Sequence, residues 1–357
     1  MYDYLVVGAG LFGSIVAHEL YKAGKSVRVI DERDHVGGNC YTEKMKGITI
    51  HKYGPHIFHT DDQRAWDYVN QFISFKPFVN RPKMIVYNDK FYSFPINLMT
   101  MNQVWGVKTP DEARKKLKEV SCQRKTVTNF EDWLVSKIGY ELYDMFYKTY
   151  TEKLWGVSPK ELPADFAKRI PFRFNFNDNY YNDDKYQGVP QNGYTGLFDQ
   201  LLEGIRVDLN TSYQGQRGGL VVYTGRIDEY YKYKFGELNY RGIRFVENTY
   251  TTQDRQGNPV INYPEKKYPF LRTTEHKHFL KEKSPVTVVT KEYPDQNGIR
   301  CYPVRNEENL IRLAKYQELA AKDEGVVFGG RLGSFEYLSM DEIILRALKC
   351  TRENVYF

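Results

Sequence analysis

Cysteine is scarce in this chain of 357 residues: Cys40, Cys122, Cys301 and Cys350 are the only four, and no two form a C-x-x-C pair. Scattered thiols of this kind exclude a disulfide framework and a zinc ribbon and read as free thiols in a reducing compartment. No apolar run approaches the roughly 20 residues that a membrane-spanning helix requires, so no membrane insertion is expected. The opening "MYDYLVVGAG" has an acid at position 3 and no basic lead-in. A secretory leader is therefore not expected, and a cytoplasmic location follows. One-signed charge is missing as well. Lys and Arg number 51 against 45 Asp and Glu, a net +6 spread along the chain. The densest basic stretch, "RKKLKEV" from Arg114, lacks interleaved aromatics and reads as a solvated helix face, so no nucleic-acid partner is expected. What the chain has in excess is aromatic side chains, with 30 Tyr and 21 Phe. Tyrosine joins a flat apolar body to a hydroxyl and suits pockets that hold polar ligands.

The first thirty residues carry the most specific pattern. "YLVV" reads as a buried parallel strand, and Phe12, Ile15, Val16 and Leu20 recur at helical spacing up to Gly24. "SVRVID" reads as the next strand. Between strand and helix lie Gly8, Gly10 and Gly13, a G-x-G-x-x-G turn. The first glycine permits the tight bend, the second lets a pyrophosphate approach the backbone, and the third lets helix and strand pack. Asp31 closes the second strand, where an acid can bond a ribose hydroxyl. NAD and FAD share these parts. The continuation "DERDHVGGNC", with the acid Glu32, then Arg33, then the pair Gly37-Gly38, resembles the extended FAD motif of the glutathione reductase superfamily in its amine-oxidase-like branch. "FGGRL" near the C-terminus resembles that branch's second flavin contact. FAD is therefore the expected cofactor.

Residues 98–165 carry helical periodicity and read as a helical insertion. "KMIVYNDKFYSFPI" reads as a hairpin about Asn88-Asp89, and "GNPVINYPEKKYPFLRTTEHKHF" alternates like antiparallel strands. "EGVVFGGRLGSFEYLSMDEIILRALK" reads as strand, glycine turn and helix, a return to the first domain. The fold class expected is α/β: a discontinuous Rossmann-like FAD-binding domain of glutathione reductase type over 1–47, 200–230 and 325–357, a helical domain over 98–165, and an antiparallel β-sheet domain over 48–97, 166–199 and 231–324.

His51, His56 and His59 cluster in "HKYGPHIFHT", and His276 and His278 in "TEHKHF". Neither group brings a thiolate or a clear carboxylate set, so no metal is expected. His51 and His278 read as structural. His56 and His59 lie in a Gly-Pro loop, a common setting for site residues, where neutral imidazoles could steer a flavin's protonation or redox poise.

Taken in order, "YGPHIFHT", "YTEKLWG", "KELPADFAKRIPFRF", "NYYNDDKYQGVPQNGYT", "TEHKHF", "VVTKEYP", "CYPV" and "FGGRL" resemble the bacterial UDP-galactopyranose mutase family over nearly the whole length. The resemblance implies a redox-neutral isomerase that interconverts UDP-galactopyranose and UDP-galactofuranose, the form used in cell-surface polysaccharide. It implies that reduced FAD attacks the anomeric carbon through N5, that UDP leaves, and that the sugar ring opens and recloses before UDP returns. A homodimer is what the family suggests. Arg169 and Arg272 match the family's two essential arginines on the diphosphate, and a planar guanidinium suits paired phosphate oxygens. Tyr180, Tyr302 and Tyr337 match tyrosines whose hydroxyls meet the same phosphates. Trp155, Phe146, Tyr150 and Thr151 match the uridine pocket, and Asn80 and Asn262 match polar substrate contacts. On spacing alone, Phe146 and Tyr150 would be a helical core pair. Phe12, Gly38, Asn39, His56, Arg331 and Met340 match flavin contacts, and His59 matches a histidine near flavin and sugar. Asp31, Cys301, Ser339 and Phe335 depart from the family's commoner residues. "KELPADFAKRIPF" resembles a mobile loop, so that Arg169 would reach the phosphates when substrate closes the site. An amine-oxidase-like FAD oxidoreductase is the alternative, on the shared flavin motifs.

Overall fold

The computed structural model describes residues 2–87, 89–121, 126–168, 170–181, 184–216 and 219–355. The chain divides into two compact units. The first comprises Met1–Pro77, Lys185–Tyr240 and Glu307–Phe357, the second Phe78–Asp184 and Arg241–Asn306.

The first unit is α/β and Rossmann-like. Its central sheet is parallel, in the order Arg206–Asp208, Val27–Ile30, Tyr4–Val7, Leu220–Tyr223, Val326–Phe328. These strands are short and mostly apolar because a parallel sheet covered by helices buries both faces. The helix Leu11–Lys22 buries Phe12, Ile15, Val16 and Leu20. That face shares a core with Val6 and Val29 of the sheet, Phe198 and Leu201 of the helix Thr195–Leu201, and Ile344 and Ala347 of the C-terminal helix Met340–Val355. Pieces from both ends of the chain thus build one domain, as the glycine motif and the tail implied. A three-stranded antiparallel sheet, Phe58–Thr60, Tyr186–Pro190 and Phe75–Pro77, belongs to the same unit.

The second unit is built on a seven-stranded sheet ordered Ile299–Pro303, Tyr240–Tyr250, Thr287–Pro294, Arg272–Glu275, Val260–Asn262, Lys83–Val86, Lys90–Ser93. The last two strands form the expected hairpin; its Asn88 lies outside the described residues. The 260–262 and 272–275 strands pair antiparallel, but "KHFL" after them is a helical turn, Lys277–Leu280, rather than strand.

The three-domain division expected from the sequence differs from these two units. Leu134, Val135 and Ile138 of the helix Phe130–Tyr143 share one core with Met84, Val86 and Tyr92 of the sheet, so helices and sheet are one body. Residues 48–77 and 185–199 join the first unit because Phe58, Tyr68, Tyr194 and Phe198 are buried in its core.

Candidate active site

In the first unit the G-x-G-x-x-G turn separates two kinds of glycine. A Cβ on Gly8, at φ +103°, would lie 2.0 Å from Thr224 Oγ1, and one on Gly13 would lie 2.0 Å from the Gly8 carbonyl oxygen. The chain's own packing requires both. Gly10 has φ −78°, which any residue adopts, and a Cβ there would meet only Gly38 Cα at 3.8 Å. The protein itself gives no reason for glycine at position 10, whereas a phosphate approaching the backbone would. Gly10 is also the N-cap of the 11–22 helix and makes no side-chain cap bond, leaving the helix N-terminus to an anion.

Around that turn gather most of the expected cofactor residues. Asp31 is buried, and its carboxylate accepts from the Ala9 N–H at 2.7 Å and the Arg33 N–H at 2.9 Å. Each oxygen keeps a second lone pair for a ribose hydroxyl. Glu32 points to solvent. Asn39 Oδ1 accepts from Arg33 Nη2 at 2.9 Å, while Arg33 Nη1 is buried with no hydrogen bond. Arg33 belongs to the FAD-like motif read from the sequence but was given no contact of its own there; the buried donor singles it out. Phe12 lies beneath Gly329, where a Cβ would sit 2.2 Å from its ring. Arg331 donates from Nη2 to the Leu338 carbonyl at 2.7 Å and covers the Tyr337 ring at 4.9 Å. Met340 Sδ lies 3.9 Å from Cys40 Sγ. Burial pushes the Cys40 thiol up to about 12 against the opposing charges of Arg331 and Arg33. The N-terminal and C-terminal halves of the expected cofactor motif therefore meet at Cys40.

His56 and His59 are half-buried in the first unit. His56 donates its backbone N–H to His51 Nδ1 at 3.1 Å, and its own Nδ1 lies 2.9 Å from the Gly54 carbonyl. His59 sits on the 58–60 strand opposite Gln187. Two departures from the family pattern have local accounts. Ser339 precedes the C-terminal helix, and its N–H donates to Glu342 Oε2 at 2.7 Å, half of a capping box. Phe335 is buried with its ring 5.0 Å from that of Tyr240.

In the second unit, three neighbouring strands set Asn262, Arg272 and Glu292 directly opposite one another, so their side chains emerge on one face. Phe245 and Met84 extend that row. Arg272 donates from Nε to Glu292 Oε2 at 2.7 Å. Glu292 is buried, and its Oε1 has no hydrogen bond. Burial opposes the Arg272 charge, but Glu292, Tyr150 and Tyr302 hold its proton well above the usual arginine range. Burial likewise lifts Glu292 above the usual carboxylate range, with Arg272 pulling the other way. Tyr150 OH reaches Asn262 Oδ1 at 3.4 Å. Tyr302 lies 5.9 Å from Trp155, which stacks on Phe166 at 5.2 Å.

This face brings together Arg272, Asn262, Tyr150, Tyr302 and Trp155. Thr151 is buried on the same helix as Tyr150 and Trp155, Thr149–Trp155. Phe146 is placed differently: it is fully buried and packs edge-on to Tyr92 at 5.6 Å. It lies in the turn Asp144–Lys148, in the core against which Trp155 packs, whereas Tyr150 and Tyr302 pack in a neighbouring cluster. Asn80 and Tyr180 form another pair, with the Tyr180 N–H donating to the Asn80 carbonyl at 2.9 Å. Asn80 Oδ1 is buried without a hydrogen bond, and Tyr180 is exposed. Tyr337 belongs to the first unit. Arg169 lies outside the described residues. Sequence reasoning missed Glu292, whose signal was an acid in the apolar run "TVVTKEYP", and also Arg241. Arg241 donates from Nε to the Leu154 carbonyl at 2.9 Å and anchors the end of the Trp155 helix.

Among the described residues, ligand atoms of Asp254, Glu275 and His278 converge. His278 Nε2 stands 3.3 Å from Glu275 Oε2 and 3.4 Å from Asp254 Oδ1. The Glu275 contact raises His278 above its ordinary value, so these carboxylates favour a proton on the imidazole.

Two family models match the chain: UDP-galactopyranose mutase over residues 145–337 and an NAD(P)-binding Rossmann-like domain over residues 6–72. A probable UDP-galactopyranose mutase of Klebsiella pneumoniae is 41% identical, covering 98% of this chain and 94% of that protein. A dTDP-fucopyranose mutase of Escherichia coli is 37% identical over 99% of this chain and 98% of its own. Among solved structures, a reduced UDP-galactopyranose mutase superposes with a TM-score of 0.81 at 14% identity, covering 100% of this chain and 96% of that one. No described helix is long and apolar enough to cross a membrane.

Proposed function

The chain belongs to the UDP-galactopyranose mutase family, and we propose that it interconverts UDP-galactopyranose and UDP-galactofuranose with reduced FAD as its resident cofactor. The observation that carries this reading is the cluster in the second unit where the sheet's Arg272 and Asn262 meet Tyr302 and the helix bearing Tyr150 and Trp155. It combines a guanidinium, an amide, two tyrosine hydroxyls and a tryptophan ring, the chemistry that a diphosphate joined to a flat base requires.

The first unit's residues fit FAD. Gly10 lacks a Cβ for no reason internal to the protein, Arg33 buries a donor without a partner, and the helix N-terminus is left uncapped. Asp31 would take the ribose. Gly8, Gly10, Phe12 and Gly13 would take the pyrophosphate turn, and Gly38, Asn39, His56, Arg331 and Met340 the remainder. Bound and reduced, FAD supplies a nitrogen nucleophile for the anomeric carbon. In the second unit Arg272 holds the diphosphate as it departs, where negative charge develops. Glu292 aims the guanidinium through Nε and leaves its two terminal nitrogens for phosphate oxygens. Tyr180 and Tyr302 donate hydroxyls, Trp155 and Tyr150 cover the uracil, and Thr151, Asn80 and Asn262 add polar contacts; Tyr337, in the first unit, keeps the phosphate role that the family match gives it. Phe146 supports that pocket from the core. Arg169 shares the diphosphate with Arg272, and His59 lies by the sugar. A homodimer in the cytoplasm completes the reading.

The test incubates dithionite-reduced protein with UDP-galactofuranose and follows the pyranose by chromatography. Conversion without steady consumption of reductant supports the mutase, whereas reductant consumed in step with product would instead mark an oxidoreductase. A second substrate reading, a dTDP-fucose, is favoured by the Escherichia coli relative. Running dTDP-fucofuranose in parallel decides between them by relative kcat/KM.

A further inference from the structure

Lys153 is half-buried in the Thr149–Trp155 helix, and among the described residues its hydrogen bonds go to carbonyls rather than to a carboxylate. Nζ donates to four backbone carbonyls: Tyr263 at 2.5 Å, Glu265 at 3.2 Å, Tyr268 at 3.0 Å and Phe270 at 2.9 Å. All four belong to one connection, residues 263–270, which joins the strand ending at Asn262 to the strand beginning at Arg272. Asn262 and Arg272 are register partners at the mouth of that connection. Lys153 itself lies two residues from both Thr151 and Trp155.

We propose that Lys153 is a positioning residue for the nucleotide: its ammonium gathers the 263–270 connection and so fixes the Asn262–Arg272 pair against the helix bearing Tyr150, Thr151 and Trp155. The inference rests on the reading of that face as the nucleotide-sugar site. An ammonium suits the task because its three N–H groups are spread in space and, with one N–H shared between two acceptors, satisfy carbonyls arriving from several directions. Charged donors also make the stronger hydrogen bonds. The connection's own charges make further ties, one of them to Glu152 on the same helix. Lys266 faces Glu152 at 3.6 Å, Lys267 pairs with Asp89 at 2.7 Å and with Glu265 at 3.1 Å, and Tyr268 OH donates to Asp89. Lys266 thus adds a more exposed tie to the same helix, while Lys153 bonds the backbone carbonyls of Tyr263, next to Asn262, and Phe270, two residues before Arg272.

The experiment compares wild type, Lys153→Met and Lys153→Arg as flavin-loaded proteins. UDP affinity is measured by equilibrium dialysis, alongside flavin content and melting temperature. In Lys153→Met, UDP binding weakens by about tenfold or more, because a small misplacement of binding groups is costly, while flavin content stays at the wild-type level. Lys153→Arg, which keeps a charged multiple donor, recovers most of the affinity. UDP bound within twofold by all three proteins would overturn the proposal, even if Lys153→Met melted earlier. Should Lys153→Met fail to fold, an Arg variant that folds like wild type but binds UDP as weakly as Arg272→Ala would also overturn it. Failure of wild type to bind UDP at all would refute the nucleotide reading itself, and this inference with it.

Discussion

Replacing Arg272 by Ala perturbs two quantities that the structure allows to be separated. The first is stability. Glu292 is only 2% exposed at its side chain and takes its ion pair from Arg272 Nε at 2.7 Å, while its other oxygen already lacks a hydrogen bond. Truncating Arg272 leaves a buried carboxylate with no counter-charge, a change that costs about 3–5 kcal/mol. The second is catalysis. Loss of a preorganised donor from a departing anion costs about 2.7–4 kcal/mol, or a rate loss on the order of 10²–10³. A single variant would mix the two effects, because a partly unfolded protein is also a slow one.

The double variant Arg272→Ala/Glu292→Gln separates them. With the amide in place of the carboxylate, no charge remains buried, so most of the lost stability returns; the guanidinium is still missing, so turnover does not. Thermal melts and chromatographic conversion of UDP-galactofuranose by reduced protein read the two quantities on the same samples. The expected pattern is a large melting-temperature drop in the single variant, substantial recovery in the double, and kcat depressed by at least about 10² in both. Turnover that recovers along with stability would mean that Arg272 acts only as a structural partner of Glu292, and the placement of the diphosphate would then be wrong.

Three further outcomes follow from the same geometry. Gly10→Ala should leave folding intact, since its Cβ meets nothing closer than 3.8 Å, yet lose flavin on purification; Gly13→Ala, whose Cβ would sit 2.0 Å from a carbonyl oxygen, should destabilise the protein itself. If Gly10→Ala retains full flavin, the turn is not the pyrophosphate site. His278 has its pKa raised from 6.5 by Glu275, so its stabilising contribution is complete below that pH and is lost as pH climbs through the raised value. Melts of wild type and His278→Gln from pH 5 to 8.5 should therefore converge as pH rises, and a constant gap would refute the ion-pair assignment. Trp155→Ala should raise the UDP dissociation constant more than it lowers turnover at saturation, and unchanged UDP affinity would put the base elsewhere.

The first unit was legible in the sequence because its signals are local. A strand, a glycine turn and a helix are written within thirty residues, and "FGGRL" repeats the type of signal at the other end of the chain. The convergence of Arg33 and Arg331 on Cys40 joins segments roughly 300 positions apart, yet each segment carries its own motif. The second unit was less legible, since its sheet order interleaves strands that no local signal ranks. The strand 260–262 pairs in parallel with 83–86 across 178 positions of chain (Ile261 with Lys83) and antiparallel with 272–275 close by. The same long-range pairing merged the helical and sheet segments into one body, because Met84 and Tyr92 find their packing partners on the 130–143 helix. Glu292 shows why the site was harder to read than the motifs. Alone in an apolar strand, an acid reads as an edge position or a solvent-facing residue. Only the register that sets it opposite Arg272 turns it into the group that aims a guanidinium. Lys153 is the parallel case, a charge within "YTEKLWG" whose partners are backbone carbonyls and therefore leave no mark on the sequence at all. What sequence spacing conveys best is contact with a ligand through motif residues; what it conveys least is the set of residues that hold those motif residues in place.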